Sequence, residues 1–470
     1  MAFGWKLHGD GRTLAVGEVV GPGERLSWGR TVGLGAQHVV AMFGATFVFP
    51  IVMGLNPQLA VMMSGIATIM FLLIVRGRVP SYLGTSASFV GGVAAIRAQG
   101  GTSPQVTGAI LVAGAILALV GIAIHFAGPR VIYGVLPPVV TGAVVMLIGF
   151  NLAPVVATVY WPQDQWIALI VMVAIVAVSL GLRGFMSRIA VFVSLVFGYV
   201  LSWVFDRAFG RITSYDAAAG KVTTHWRVNW DGVKSADWIG LPPRTGTPGP
   251  DGHALVGWHL PDFRWAFVLL VIPAVIALIA ENTGHVKAVA EMTKTDLDPL
   301  MGRAIAADGV ATVVASAVGG SPTTTYAENI GVMAATRVYS TAAYYVAAVV
   351  AILFGFSPKF GAVISATPGG VLGGITVVLY GMIGLLGAKI WRENNVDFGN
   401  PVNLVPVAAG IIIAIGDTAL QFGRQFALSG IALGTIVVIV FYHFGRLIAP
   451  RHLLEPDRES EKPEEEPVAR

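Results

Sequence analysis

The chain has 470 residues, 55% of them hydrophobic and only 12% charged, against about 25% charged in an ordinary soluble domain, so it reads as an integral membrane protein in contact with membrane lipid. Its formal charge of +4 comes from basic residues scattered through short loops rather than gathered in a stripe, which argues against a nucleic-acid partner. The absence of cysteine excludes disulfides, thiol catalysis and cysteine-ligated metal.

Residues 1–30 alternate polar and charged positions (Lys6, Asp10, Arg12, Glu18, Glu24, Arg25, Arg30) without the apolar centre of a signal peptide. Apolar runs of ~20 residues follow along most of the chain, which selects helices over a β-barrel. Spans are predicted at 32–49 and 59–75, the second ending at the basic turn Arg76-Gly77-Arg78. The stretch VPSYLGTSASFVGG, Val79 to Gly92, then interrupts the pattern with a proline, a hydroxyl cluster and small residues. Spans at 106–127, 131–152, 165–182 and 188–205 complete about seven in the first half. Residues 206–262 form one long outer loop with turn signals at Asp231-Gly232, Pro242-Pro243 and Pro248-Gly249-Pro250. Alternation around 222–230 predicts a small hairpin within 215–233 of that loop. The second half supplies spans near 265–284, 303–318, 322–335, 340–356, 360–388, 403–420 and 426–447. The tail from Glu455, rich in glutamate and proline, reads as a solvated, disordered end.

Charge orients this arrangement. With the N-terminus cytoplasmic, short inner loops collect Arg76, Arg78, Arg130, Arg183, Arg188, Lys287, Lys294, Arg303, Arg337, Lys389 and Arg392, whereas short outer loops hold only Arg97, Lys359 and Arg424. That bias puts both termini inside. An odd number of spans per half makes the halves enter the membrane from opposite sides. The two interrupted segments, third in each half, then occupy corresponding positions of an inverted repeat, the strongest sequence-level pointer to a binding site.

The second interruption, GGSPTTTYAENIGVMAATR from Gly319 to Arg337, carries Gly and Pro, three threonines and a carboxylate at bilayer depth. Gly and Pro weaken a helix, a threonine run favours extended backbone, and a charge in the bilayer is costly enough to mark function. Glu328 starts the helix that follows. A carboxylate there also satisfies free N–H groups, so a structural role competes with ligand binding. Glu281, in IPAVIALIAENTGHVKA, shares a helix face with His285 at i+4, within reach of a direct or water bridge. A local cap for Glu281 and polar packing for His285 are the alternatives. Asp308 and Asp417 are weaker coupling candidates, and His38, His125 and His443 stand near span ends, where packing or interface roles dominate. No metalloprotease, P-loop or nucleophile-elbow motif occurs at a credible place, so no catalytic residue, metal or cofactor is expected.

Carboxylates only accept hydrogen bonds and the N–H groups of a broken helix only donate. Together they complement a flat imide edge such as that of uracil or xanthine, while a carboxylate substrate is repelled by Glu281 and Glu328. Phe43, Phe89, Tyr326 and Tyr380 offer faces for stacking, with plain packing as the alternative.

These residues also carry a resemblance. Glu328-Asn329-Ile330-Gly331 followed by Thr336-Arg337 is similar to the signature E-N-x-G-x4-T-[RKG] of the nucleobase-ascorbate transporter family. Gln37-His38 with AMFGAT, PSYLGTS from Pro80 to Ser86, AENTGH from Ala280 to His285, and TRVYS from Thr336 to Ser340 extend it over about residues 25–450. Within the family the chain looks most like bacterial uracil and pyrimidine permeases, especially that of the pyrimidine-degradation (Rut) cluster.

The resemblance implies an all-α polytopic fold of fourteen spans in a 7+7 inverted repeat, with short antiparallel strands in spans 3 and 10. It implies a cytoplasmic segment (1–30), a core domain (31–128, spans 1–4, and 263–357, spans 8–11), a gate domain (129–207, spans 5–7, and 358–449, spans 12–14), an outer loop (208–262) and a cytoplasmic tail (450–470). Carried over by motif, Glu281 and Glu328 bind the base, and backbone N–H groups at Ala87 and Ala327 meet its carbonyls. Ser86, Tyr326, Ala45, Phe43 and Tyr380 line or brace the pocket. Glu281, His285 and Asn329 serve proton coupling. The implied protein is a proton–nucleobase symporter of the bacterial inner membrane, uracil first, homodimeric through the gate domain. A xanthine or purine permease is the alternative, and an anion exchanger or channel of the same architecture is the alternative of another class. The chain departs from the uracil-permease pattern at Ala87, where that pattern has an aromatic. It departs again at Ala327, where glycine is frequent, and in the length of the outer loop.

Overall fold

Apolar runs too long for a soluble core helix become the long helices of the computed structural model. It describes all residues except 1–3, 16, 129–135, 184, 217–219, 249–253, 423–425 and 454–470; the expectations for Arg130, Arg424, Gly249-Pro250 and the tail from Glu455 lie outside the described residues. The first-half helices are α1 (Trp28–Val52), α2 (Pro57–Ile74), α3 (Val90–Ala98), α4 (Ser103–Ala127), α5 (Pro138–Phe150), α6 (Gln165–Gly181) and α7 (Ala190–Phe209). The second half contributes α8 (Trp265–Thr293), α9 (Asp298–Ala317), α10 (Ala327–Thr336), α11 (Thr341–Gly355), α12 (Pro358–Ser365), α13 (Gly369–Glu393), α14 (Pro401–Ile415) and α15 (Gly430–Ile448). Among the described residues nine helices are long and apolar enough to cross a membrane, or ten if α11 and α12, bent by 86°, count as one.

Local chemistry sets the boundaries. Asn56 caps α2 by accepting from Leu59 N, with Pro57 preorganising the first turn, and Asp164 caps α6 by accepting from Trp166 N and Ile167 N. Arg76, Lys294 and Arg337 close or follow helices in the left-handed region, at φ of 56°, 50° and 57°. Four expectations shift. The run predicted as one span at 360–388 is α12 followed by α13, divided at Thr367-Pro368. The predicted span 403–420 ends at Ile415, because Gly416 and Asp417 turn the chain into the hairpin of β7 (Ala419–Phe422) and β8 (Phe426–Ser429). Asp417 sits exposed in that turn with φ of 46°, so it is not a buried coupling group. In the 206–262 loop the hairpin lies earlier than predicted, pairing β4 (Ile212–Asp216) with β5 (Lys221–His225). It stops there because Arg227 leaves the ladder to bridge Asp164 (2.7 Å) and Asp206 (3.2 Å), both nearly buried.

Packing is reciprocal between the halves. α4 lies along α9 and α2 along α11, while α8 meets α4 and α1 meets α11; separately, α5 packs on α13 and α14 on α15. Small residues permit the closest of these contacts: a Cβ on Gly121 of α4 would strike the Ala306 backbone, and one on Gly309 of α9 the Ala118 backbone. At one end the N-terminal segment docks as a clasp. β1 (Lys6–Leu7) pairs with β2 (Glu24–Arg25), Val20 N donates to Arg337 O (3.0 Å), Tyr339 N to Val20 O (2.8 Å), and Trp5 Nε1 to Thr341 Oγ1 (2.8 Å).

Candidate functional site

Two extended segments cross between helices. β3 (Leu83–Thr85) and β6 (Thr323–Thr325) pair antiparallel, Leu83 with Thr325, Gly84 with Thr324 and Thr85 with Thr323, and Ser86 N to Pro322 O and Tyr326 N to Tyr82 O (2.9 Å each) extend the ladder. Backbone at this depth has no water to bond, so each broken segment satisfies the other. Every residue from Tyr82 to Ser86 and from Pro322 to Tyr326 is buried. The ladder runs directly into two helix starts: a 3₁₀ turn at Ala87–Phe89 leading to α3, and α10 from Ala327. First-turn N–H groups of a helix have no acceptor within it; here Ser86 Oγ takes Ser88 N (3.3 Å) and the Glu328 carboxylate takes its own N–H, which leaves the N–H groups of Ala87 and Ala327 at the two starts. The side chains leave this backbone reachable, Ala87 being half-buried and Ala327 exposed.

α8 closes the site, packing against the Ala87–Phe89 turn, β6 and α10. Glu281 on α8 and Glu328 in the first turn of α10 are both half-buried, and Glu328 and Asp308 are the acids near Glu281. The residues flanking Glu281 hold the ladder. Thr325 Oγ1 donates to Asn282 Oδ1 (2.7 Å) and lies 2.7 Å from His285 Nδ1. A threonine hydroxyl has one proton, so His285 Nδ1 must donate here and Nε2 is left as the acceptor of a neutral ring. Through Nδ1, His285 thus meets Thr325 on the strand, a contact that i+4 spacing with Glu281 did not suggest. Asp308 of α9 is fully buried. Its Oδ2 accepts from Thr325 N (3.3 Å) and Thr324 Oγ1 (3.5 Å), while Oδ1 has no hydrogen-bond partner among the described residues.

The remaining candidates divide. Tyr326 is a brace: its OH donates to Thr85 O (2.8 Å) and accepts from Thr46 Oγ1 (3.1 Å), next to Ala45 on α1. Gly84 is required beneath it, since a Cβ there would overlap the Tyr326 ring and Thr46 Oγ1. Ser86 is buried and accepts from Ser88 N (3.3 Å), capping the turn. Asn329 Nδ2 donates to His38 O (2.9 Å) and lies 3.2 Å from His38 Nδ1, tying α10 to α1. His38, read from sequence as a span-end residue, is instead buried inside α1 with its ring 4.3 Å from that of Tyr344. Phe43 stacks on Phe47 at 4.4 Å in a cluster with Phe192, Phe354 and Phe360, a packing role. Tyr380, on α13, lines a cavity of about 460 Å³ with Gly149, Phe150, Val156, Trp161 and Thr376, and none of the acids borders that cavity. Sequence reasoning underrated His38, Asp308 and Thr325. The Gln37-His38 and threonine-run motifs contained His38 and Thr325, and Asp308 was a weaker coupling candidate, but the partners of all three lie on other elements. Among the described residues no group of three or more His, Asp or Glu is arranged to hold a metal.

A model of the Permease family matches residues 29–422. The chain is 43% identical over 431 residues to the "Putative pyrimidine permease RutG" of Escherichia coli K12, covering 90% of this chain and 91% of that protein. It is 34% identical to the uracil permease of Bacillus caldolyticus, covering 93% and 97%. Among solved structures it is similar in fold to the murine Solute Carrier 26 family member A9 anion transporter in the inward-facing state, with a TM-score of 0.59 at 11% identity over 89% of this chain and 68% of that one. The chain belongs to the Permease family, that of the nucleobase-ascorbate transporters, whose members are multi-pass membrane transporters and not enzymes.

Proposed function

We propose that the chain is a proton-coupled symporter that imports a nucleobase, uracil first, across the bacterial inner membrane, with both termini cytoplasmic. A core domain (31–128 and 263–357) moves against a gate domain (129–207 and 358–449) within a fourteen-span 7+7 inverted repeat, and homodimers form through the gate. The observation that carries this reading is the crossing itself: two helix starts beginning at Ala87 and Ala327 and two carboxylates, Glu281 and Glu328, converge around one buried ladder. Donors and acceptors at fixed spacing suit a planar imide. The reciprocal packing of α2 on α11 and α4 on α9 supports the inverted repeat. The names of the relatives, a pyrimidine permease and a uracil permease, support the substrate class.

In this mechanism Glu328 and the α10 N–H groups take one edge of the base, and the Ala87 turn takes a carbonyl. A proton entering with the base neutralises Glu281 or is shared through His285, whose Nε2 is the free acceptor. That uptake relieves repulsion among Glu281, Glu328 and Asp308, so base and proton bind together before the core shifts. Ala87 is the observation that favours a second reading, because a methyl where an aromatic stands in uracil permeases enlarges the pocket toward xanthine. The anion-exchanger alternative has only a fold likeness behind it, and two acids in the site oppose it. The test is uptake by membrane vesicles of labelled uracil, thymine and xanthine under an imposed pH gradient, with a protonophore control. Uracil accumulation abolished by the protonophore is expected; accumulation of inorganic anions without base uptake overturns the reading.

A further inference from the structure

The outer loop is too apolar on its exposed side for a solvated connection. Trp238, Ile239 and Leu241 are consecutive apart from Gly240 and are 75%, 85% and 68% exposed. Their backbone is pinned to the end of α11: Gly240 N donates to Phe356 O (2.8 Å), and Lys359 N donates to Asp237 O (2.8 Å). That pinning sets the exposed side chains at the C-terminal end of α11, where Leu353 and Phe356 are exposed as well. At the other end of the loop Leu260, 77% exposed, Phe263 and Trp265 lead into α8, whose Leu269 is also exposed. Asp262 N to Pro104 O (2.9 Å) and His259 N to Val318 O (3.2 Å) hold this stretch against α4 and the end of α9.

Cations accompany both stretches. Lys359 Nζ lies 5.4 Å from the Trp238 ring, Arg244 5.3 Å from Trp258 and Arg264 4.4 Å from Phe267. An aromatic ring paired with lysine or arginine suits the membrane–water boundary, where the ring enters the acyl edge and the cation stays at the headgroup level; Lys359 Nζ is held there by Val233 O at 2.8 Å. Exposed apolar patches on a membrane protein need a covering, and these two adjoin the lipid-facing sides of two spanning helices. We propose that residues 237–241 and 260–265 are interfacial anchors that insert into the outer leaflet, with phospholipid as their partner, so that the loop is a membrane-bound element and not a soluble one.

The chain has no cysteine, so single-cysteine variants can be labelled at one position each. Ile239→Cys and Leu260→Cys, labelled with bimane in phosphatidylcholine vesicles, are expected to be quenched several-fold more by lipid carrying a nitroxide near the headgroup than by aqueous iodide. Lys221→Cys, on the exposed end of β5, should show the reverse. Leu241→Cys gives a second reading of the first patch should Ile239→Cys fail to fold, with a monodisperse elution profile as the criterion. Quenching at 239 and 260 by iodide as strong as at 221 overturns the proposal. So does protection from both quenchers, which would mean that protein, such as a second copy of the chain, covers these residues.

Discussion

Leu83–Thr85 and Thr323–Thr325 pair residue for residue, yet the two segments end differently. Both leave the ladder straight into a helix start. The first is followed by Ser86, Ala87 and Ser88, small and uncharged, and the second by Tyr326, Ala327 and Glu328. The ladder is therefore shared, and the carboxylate stands on one side only, the side to which the proposed mechanism gives the base. Asymmetry continues in the supports. Thr325 is held by Asn282 and Asp308, with His285 Nδ1 at 2.7 Å, whereas β3 is held by Thr68 Oγ1, which accepts from Leu83 N at 2.9 Å. A titratable network backs one strand and a neutral hydroxyl backs the other.

The largest effect should come from removing the charge that distinguishes the second segment. Glu328→Ala deletes charge-assisted hydrogen bonds worth about 1.5–3 kcal/mol each, so equilibrium binding of labelled uracil to purified protein should weaken roughly 10- to 100-fold. Unchanged binding would mean that Glu328 is only a helix-start residue, no different in role from Ser86.

Breaking the shared plan should cost stability first. Gly84→Ala forces a Cβ into the Tyr326 ring and Thr46 Oγ1, and overpacking of this kind costs about 1–3 kcal/mol. Its ladder partner Thr324 has only a long 3.5 Å contact to Asp308, so Thr324→Ala should cost less than about 1 kcal/mol. Thermal unfolding in detergent separates the two, and equal losses would contradict a ladder packed tightly on the Gly84 side.

The smallest effect lies away from the crossing. His8 sits 2.8 Å from Glu24 and 3.0 Å from Glu18 in the N-terminal clasp, and its hydrogen bond to Glu24, reinforced by both carboxylate charges, raises its pKa above the ordinary 6.5 despite partial desolvation. The folded state thus holds this proton more tightly than the unfolded chain. The contribution is complete below the ordinary value and is lost as pH rises through the raised one. Hydrogen exchange at residues 6–25 should quicken on that rise, and His8→Gln should flatten the response while leaving the ladder amides protected.

Much of this was legible in the sequence because it depends on local chemistry. Gly, Pro and threonine runs announce a broken helix wherever they fall, and a carboxylate in an apolar run announces itself. Helix interruptions at 79–92 and 319–337 needed no partner to be noticed. What escaped was decided by distant segments. The depth of His38 depends on Asn329, the end of the hairpin in the 206–262 loop on a half-buried Arg227 whose partners Asp164 and Asp206 lie on other elements, and the division at Pro368 on how α12 turns across α11. His285 illustrates the same limit: spacing places it on one helix face with Glu281, while its contact to Thr325 comes from a distant strand.

Glu281 stands on α8, outside both strands, and in the proposed mechanism it takes up the proton that accompanies the base. Uracil accumulation in proteoliposomes under an imposed inward proton gradient, compared between the native chain and Glu281→Gln, separates this role from simple binding. The native protein should concentrate uracil, and the variant, still able to exchange uracil across the membrane, should concentrate none. Accumulation by Glu281→Gln to the native level would rule the role out.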